Sequence, residues 1–171
     1  MGHCRLVTSQ SMSDFDKSWK LSRGRFVDTI SHLNTAQLGW RIHPASLTIG
    51  EMALHVAGVE LSFGSQMSGL ALDEAGKRLK AAATDGVVNE LAFPYPSETI
   101  TPELVAERLA FAHSVVAPLM EGTTEEAATI QVVTALGPTV SGDLALARLS
   151  VHSAYHQGQA YLISTAPGFP A

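Results

Sequence analysis

Four long segments of the chain repeat apolar residues at the spacing of an α-helix, and this pattern restricts the possible folds more than any other feature. The segments are approximately residues 13–38, 48–70, 101–119 and 141–165. Helices of this length each bury one apolar stripe by packing against the others. The sequence therefore predicts an all-α fold, a bundle of four helices.

Local signals mark where these helices begin and end. Thr48 followed by Glu51 forms a capping-box pattern, in which each side chain bonds the backbone N–H of the other residue. Thr101 followed by Pro102 is typical of a cap with proline in the first helical position. Pro118 is expected to kink or end the third helix, because proline lacks the N–H that continues the hydrogen-bond ladder.

The connection between the second and third helices is about 30 residues long and contains Pro94 and Pro96. This is too long for a tight antiparallel turn, so we predict a long crossover with a short helix from about Glu74 to Ala83. Residues 129–136 are rich in β-branched side chains and end before Gly137, which fits either a short strand or a helical continuation. The sequence leaves the rest of residues 71–100 and 123–140 open.

The bulk composition narrows the class of protein. The chain has 171 residues, 46% hydrophobic and 16% charged, so we expect one globular domain over residues 13–171 after a flexible tail of residues 1–12. A net charge of −5 without a basic run argues against nucleic acid, and no segment is apolar enough to span a membrane. Cys4 is the single cysteine, which favours a reducing compartment, the cytoplasm.

Three of the seven histidines fall on apolar helix stripes. His152 and His156 are four residues apart, so their rings project from the same helix face, on a stripe that begins at Leu149 and ends at Ile163. On the second helix, the apolar stripe includes His55. We therefore expect these three side chains to point into the bundle.

Three inward imidazoles favour a metal site. Each would otherwise need its own hydrogen-bond partner in the core, which is the alternative interpretation, whereas one divalent cation binds all three. Three protein ligands also leave a coordination position open, as catalytic sites do. His32, His43 and His113 fall outside the stripes and are expected to be solvated.

Other polar residues near the three histidines are weak candidates for catalysis. Glu51 precedes His55 by one turn and is a possible general base, although capping explains it as well. Arg148 precedes His152 by four residues and is placed to hold an anionic substrate, or it is simply solvated or ion-paired. Gln159 either orients a bound ligand or forms a hydrogen bond across the bundle.

Two segments carry a family resemblance. Residues 47–57 (LTIGEMALHVA) and residues 152–159 (HSAYHQGQ) resemble the two signature regions of the DinB-like superfamily of metalloenzymes. The resemblance includes His55, His152 and His156, and it extends to Gly158, Gln159 and Gly168. It departs at three positions. Many relatives have Trp where this chain has Leu47, and they have Arg where it has Gln157 and Thr165.

The resemblance implies further properties. It implies an up-down-down-up course of the four helices, a divalent ion on the three histidines (zinc or nickel), and a homodimer. Characterised relatives are transferases and isomerases that use small thiols, so a low-molecular-weight thiol is an implied co-substrate. The departures at Gln157 and Thr165 remove two arginines that would bind a substrate anion.

The sequence thus predicts a divalent-metal-binding protein that acts on a small-molecule substrate. In the enzymatic interpretation, the ion lowers the pKa of a bound thiol or water, as in a small-thiol S-transferase or a hydrolase. The sequence does not choose between these two reactions. The rival is a non-catalytic metal-binding or stress-associated bundle in which the ion is structural, and a third interpretation is a bundle without metal.

Overall fold

The computed structural model describes residues 10–171, with side chains from Phe15 onward, and this part of the chain is mostly helical. The helices are α1 (Gln10–Ile30), α2 (Thr35–Leu38), α3 (Ile49–Ser68), α4 (Glu74–Ala81), α5 (Pro102–Glu121), α6 (Glu125–Thr129) and α7 (Gly142–Ser164). The predicted all-α class is confirmed. Most of the predicted N-terminal tail, including Cys4, lies outside the described residues.

The predicted caps of α3 and α5 are confirmed. Thr48 Oγ1 accepts from the Glu51 N–H at 3.0 Å, and Glu51 Oε2 accepts from the Thr48 N–H at 2.8 Å. These two bonds satisfy backbone donors that the first turn of α3 leaves unpaired. At α5, Thr101 Oγ1 caps the Leu104 N–H, and Pro102 occupies the first helical position.

The first predicted helix is interrupted, so its extension to Leu38 was wrong. Helix α1 ends at Ile30, and the short α2 begins after Asn34, whose side chain accepts from the Gln37 N–H. The Gln37 side chain in turn accepts from the Asn34 N–H at 2.9 Å. This second capping box starts a new helix inside an otherwise continuous apolar pattern.

Helix α5 continues past Pro118 to Glu121, so the helix does not end at the proline. Proline removes only its own N–H, and the Pro118 carbonyl still accepts from Gly122 N at 3.1 Å. Buried Val116 and Met120 lie on either side of the proline in the core. Packing of this last turn outweighs the lost hydrogen bond.

The two segments that the sequence left open are now defined. The predicted short helix in the crossover is α4, which Asp73 caps through Gly76 N. A single helical turn of 3₁₀ type, Ser97–Thr99, precedes α5. Within residues 129–136 the structure has a strand, β1 (Gln131–Val132), which pairs antiparallel with β2 (Val140–Ser141) in the register Val132–Val140.

The long helices pack against one another around α3, which is buried along most of its length. Helix α3 contacts α4, α5 and α7, and α1 packs on α7 and α5. One apolar cluster surrounds α3, and a second forms around Trp19, Phe63 and Leu149. No helix in the described part of the chain is both long and apolar enough to cross a bilayer.

Helix α4 lies unusually close to α3 at Gly58. A Cβ atom placed on Gly58 would be only 2.5 Å from the Leu79 carbonyl oxygen and 2.8 Å from the Ala83 backbone nitrogen. Only a residue without a side chain allows the two backbones to approach this closely. The contact fixes the end of α4 against the middle of α3.

A buried ion pair joins three of the long helices. Glu60 of α3 accepts from Arg23 Nε at 2.9 Å and from Trp19 Nε1 at 3.0 Å, both on α1. Arg23 Nη2 also donates to the Leu109 carbonyl of α5 at 2.6 Å. Burial raises the pKa of the Glu60 carboxyl, and the Arg23 guanidinium opposes that rise.

Candidate metal centre

The three histidines that the sequence singled out lie together. Nε2 of His152 is 3.1 Å from Nε2 of His55 and 3.1 Å from Nε2 of His156. His55 and His156 are each only 5% exposed, and His152 is half-buried. One ligand atom from each residue lies within 4.8 Å of the others, so the group can hold a metal ion.

Hydrogen bonds fix the tautomer of His55. Its Nδ1 lies 2.9 Å from the Ala82 carbonyl oxygen, just after α4. A carbonyl only accepts, so Nδ1 carries the proton and Nε2 keeps a free lone pair.

His156 is held in a similar way from within its own helix. Its Nδ1 lies 2.7 Å from Gln159 Oε1, which as an acceptor assigns the proton to Nδ1. The Nε2 lone pair of His156 therefore also faces the other two rings. This is the arrangement in which a partner on one ring nitrogen orients the other nitrogen toward a metal.

The three rings cannot satisfy one another by hydrogen bonding alone. With both neighbours protonated on Nδ1, His152 Nε2 faces two acceptors but can donate at most one proton. A divalent cation would accept all three lone pairs. The 3.1 Å separations also fit, since two nitrogens about 2.1 Å from one ion lie roughly 3.0–3.4 Å apart at bond angles of about 90–110°.

The surroundings keep these imidazoles neutral. Burial lowers the pKa of His152 to about 2, helped by the charges of His156, His55 and Arg148. Burial also lowers the pKa of His156 to about 4, with a contribution from His55 and against the hydrogen bond that His156 donates to Gln159. The pKa of His55 is lowered by burial, against the bond to Ala82. Neutral rings leave their lone pairs available for a cation.

A cavity of about 120 Å³ opens beside the histidines. It lies between α3, the turn after α4, the β1–β2 turn and α7. The walls combine His55 and His152 with mostly apolar or hydroxyl side chains, namely Val59, Ser62, Phe63, Ala83, Val88, Thr134, Ala135 and Leu136. Arg148 is the remaining lining residue, so it supplies a positive charge to a pocket whose other lining residues are neutral or apolar.

The three weak catalytic candidates have different positions. Both oxygens of Glu51 are engaged, Oε2 by Thr48 N and Oε1 by Ser97 Oγ and Arg41. Gln159 bonds His156 within α7 rather than a residue across the bundle. Arg148 lines the cavity and forms no hydrogen bond or ion pair with the residues described. A catalytic role for any of them stays a prediction.

The remaining described histidines do not join the group. His32 and His43 are exposed, as expected. His113, which was expected to be solvated, is half-buried and stacks on Trp19 with ring centroids 5.2 Å apart. The expectation for His113 was wrong because α5 packs against α1 on the face that carries this ring.

Two parts of the site were not predicted from the sequence. The Ala82 carbonyl, which orients His55, is a backbone group, and every residue type has one, so the sequence does not indicate this contact. The β1–β2 turn, which supplies Thr134, Ala135 and Leu136 to the cavity, lies in a stretch whose secondary structure the sequence left open. Gly58, a glycine inside a helix, is a residue that could have indicated the approach of α4 to α3, but it was not used in the sequence prediction.

Comparison with known proteins supports the fold. No family model and no curated protein matches the chain. The crystal structure of a conserved protein from Enterococcus faecalis is similar over 92% of this chain and 96% of its own, with a TM-score of 0.64 and 15% identity. At this identity the similarity shows a shared fold, while the three-histidine group is a property of this chain's own residues.

Proposed function

We propose that the chain is a DinB-like metalloprotein in which His55, His152 and His156 bind one divalent ion, zinc or nickel, through Nε2. The observation that carries this proposal is the convergence of three Nε2 atoms, two of which are fixed as acceptors. A hydrogen-bonded core histidine needs no such convergence. The donor set of three neutral imidazoles suits zinc and nickel.

The proposed activity is that of a metal-dependent enzyme, a small-thiol S-transferase or a hydrolase. The ion, when bound, would lower the pKa of a thiol or water so that it is a nucleophile at neutral pH. The cavity beside His55 and His152 would enclose the substrate and exclude water with its apolar walls. Arg148 would hold an anionic group of the substrate or of the thiol at the same pocket.

The proposal includes an up-down-down-up course for α1, α3, α5 and α7. In this course α1 and α7 run parallel, α3 and α7 antiparallel, and α3 and α5 parallel. Three contacts support these directions. Near the end of α1, Thr29 bonds Gln157 in the second half of α7, and Met67 at the end of α3 lies next to Gly142 at the start of α7. Gly50 at the start of α3 lies next to Ile100, just before α5. The crossover that contains α4 allows α5 to start at the same end as α3.

The proposal also includes a homodimer. Leu144, Val151, Tyr155 and Leu162 recur along α7 at helical spacing and are 50–70% exposed. An apolar stripe of this kind on a two-fold axis is self-complementary. Sedimentation analysis of Val151→Glu beside the unchanged chain tests this surface. A chain that is monomeric without the substitution would remove the dimer from the proposal.

The proposed setting is a reducing one, the cytoplasm, with a small molecule rather than nucleic acid as the partner. The single cysteine in 171 residues and the net charge of −5 support both statements.

Elemental analysis tests the metal site. Protein purified without a His tag and without added ions should contain about one divalent ion per chain. His55→Ala, His152→Ala and His156→Ala should each lose most of it, whereas His43→Ala, at an exposed position, should keep it. Equal metal in His152→Ala and His43→Ala would refute the site.

A structural role for the ion is the second candidate, because the three ligands join α3 to α7. Two measurements together separate the two roles. The first is thermal unfolding of the chain and of His152→Ala, each with and without metal. The second is a screen of both proteins for activity on small thiols, esters and amides. A metal-dependent rise in melting temperature with no turnover of any substrate favours the structural role. Turnover that is lost in His152→Ala supports catalysis.

A further inference from the structure

A second cavity, of about 400 Å³, lies on the other side of the crossover between α4, the segment around Tyr95 and the start of α5. It shares no lining residue with the cavity beside the histidines. Two arginines line it, Arg78 from α4 and Arg108 from α5. In a chain with a net charge of −5, two guanidinium groups at one cavity need an explanation.

Two polar atoms at this cavity lack partners among residues 10–171. Tyr95 is 3% exposed and its Oη has no hydrogen-bond partner, and Arg108 Nε is likewise buried and unpartnered. A buried donor left unpaired typically costs on the order of 1–3 kcal/mol, so two of them on residues that line one cavity call for an explanation.

One nearby carboxylate pairs with Arg108, but only at the surface. Glu107 Oε1 forms an ion pair with Arg108 Nη1 at 3.6 Å, longer than a hydrogen bond, and the Glu107 side chain is 65% exposed, so solvent screens the pair. Glu74 also lines the cavity, but it is paired with Lys77 at 2.6 Å.

Arg78 is held over the buried tyrosine. Its guanidinium carbon lies 4.2 Å from the centroid of the Tyr95 ring, and its Nε donates to the Pro94 carbonyl at 2.9 Å. No acceptor in the described part of the chain bonds its two Nη groups. The stacking fixes the plane of the guanidinium and leaves its outer donors free.

We infer that this cavity, formed by Arg78, Tyr95 and Arg108, binds a small organic oxyanion, a carboxylate or a phosphate ester. Guanidinium groups are strong donors to carboxylate and phosphate oxygens, and the unpartnered Tyr95 hydroxyl is a third donor at this cavity. Leu104 and Ala75 give the cavity an apolar side for the rest of the molecule. Both of these atoms are buried, so the proposal includes a displacement of the cavity walls that lets Tyr95 Oη and Arg108 Nε reach the ligand.

Titration of the full chain with inorganic phosphate and, separately, with benzoate tests this inference. The readout is the side-chain Nε–H signal of Arg108 in ¹⁵N NMR, identified by its loss in Arg108→Gln. At least one probe should shift this signal in a saturable way. Phosphate alone would indicate a phosphate ester, and benzoate alone a carboxylate.

Variants separate binding from general charge effects. By thermal shift, Arg108→Gln should weaken probe affinity roughly tenfold or more. Tyr95→Phe should weaken it severalfold without lowering the melting temperature of the probe-free protein, since it removes an unpaired hydroxyl. Lys80→Gln is the matched control, because it removes one positive charge from the crossover at a residue outside the cavity.

The inference is independent of the metal centre. The same titration of His152→Ala should give the same shift, which excludes anion binding to a metal ion. Absence of a saturable shift with both probes would overturn the inference, as would equal probe affinities in Arg108→Gln and Lys80→Gln.

Discussion

Single buried polar residues decide much of this molecule's stability, and Glu60 is the clearest case. It is 1% exposed and pairs with Arg23, which is 9% exposed. Replacement by glutamine keeps the size of the side chain but leaves the guanidinium charge without a counter-ion. We expect Glu60→Gln to lower the free energy of unfolding by about 3 kcal/mol, measured by urea denaturation.

The control for Glu60 is an exposed pair of the same type. Glu121 bonds Lys20 at 2.8 Å, and both side chains are about half exposed. Solvent screens such a pair, so Glu121→Gln should leave the free energy of unfolding nearly unchanged. Equal effects of the two substitutions would show that the Glu60 pair contributes no more than a surface contact.

Gln159 is the second residue with a specific expected effect. Its Oε1 accepts from His156 Nδ1 at 2.7 Å and so directs Nε2 toward the other two histidines. Removal of such a partner typically costs about 10- to 100-fold in metal affinity, and we expect this loss in Gln159→Ala, measured by competition with a chelator. Gln157→Ala, on the same helix but bonded to Thr29, should bind metal as the unchanged chain does.

At the scale of elements, the contact of α4 with α3 links the crossover to the histidines. In Gly58→Ala the new methyl group would lie only 2.5 Å from the Leu79 carbonyl oxygen, so α4 must move away from α3. This movement would also separate the Ala82 carbonyl from His55 Nδ1, to which it is hydrogen-bonded. We expect a loss of about 1–3 kcal/mol in stability and weaker metal binding, measured by thermal unfolding and chelator competition.

The matched glycine variant lies in α1. Gly24 has open space where a Cβ would stand, so Gly24→Ala should stabilise the chain by about 0.5–1 kcal/mol and leave metal affinity unchanged. If Gly58→Ala were equally benign, the close approach of α4 would not matter for the centre.

The elements also show what could be predicted from sequence. Thr48, Glu51 and Thr101 act through neighbours three residues away, so local pattern was sufficient to place the starts of α3 and α5. The break at Asn34 was missed although its capping box is equally local, because the apolar pattern continues across it. The continuation of α5 past Pro118 depends on packing, which no local pattern contains.

For the whole molecule, the three buried histidines make stability depend on pH. Without metal, the folded chain holds His152 and His156 at pKa values of about 2 and about 4, against 6.5 in the unfolded chain. Below pH 6.5 the unfolded state binds more protons, so the stability present above pH 6.5 is lost as pH falls toward 4. Urea denaturation of metal-free protein over this range measures the slope, and His43→Ala should leave it unchanged.

Metal should add to stability at neutral pH. An ion at 1,000 times its dissociation constant stabilises the folded state by about 4 kcal/mol, seen as a higher melting temperature that chelator removes. His152→Ala should show no such rise. A rise of the same size in this variant would place the binding ion elsewhere.

The assembly of the site explains the limit of sequence reasoning. Helical periodicity selected His55, His152 and His156 correctly as a group, because all three lie on apolar stripes. The wall formed by Thr134 and Leu136 could not be predicted, since it depends on how a two-residue strand pairs with residues beside α7.

His55 and His156 differ in how easily a mutation can remove the group that orients the imidazole ring. His55 is held by a main-chain oxygen, so any side chain at position 82 that keeps the turn preserves its tautomer. His156 depends on the side chain of Gln159, which one nucleotide change can replace. Substitutions at position 159 should therefore change the affinity of the proposed site more than substitutions at position 82, since a carboxylate at 159 would make the imidazole a stronger ligand and an apolar residue a weaker one.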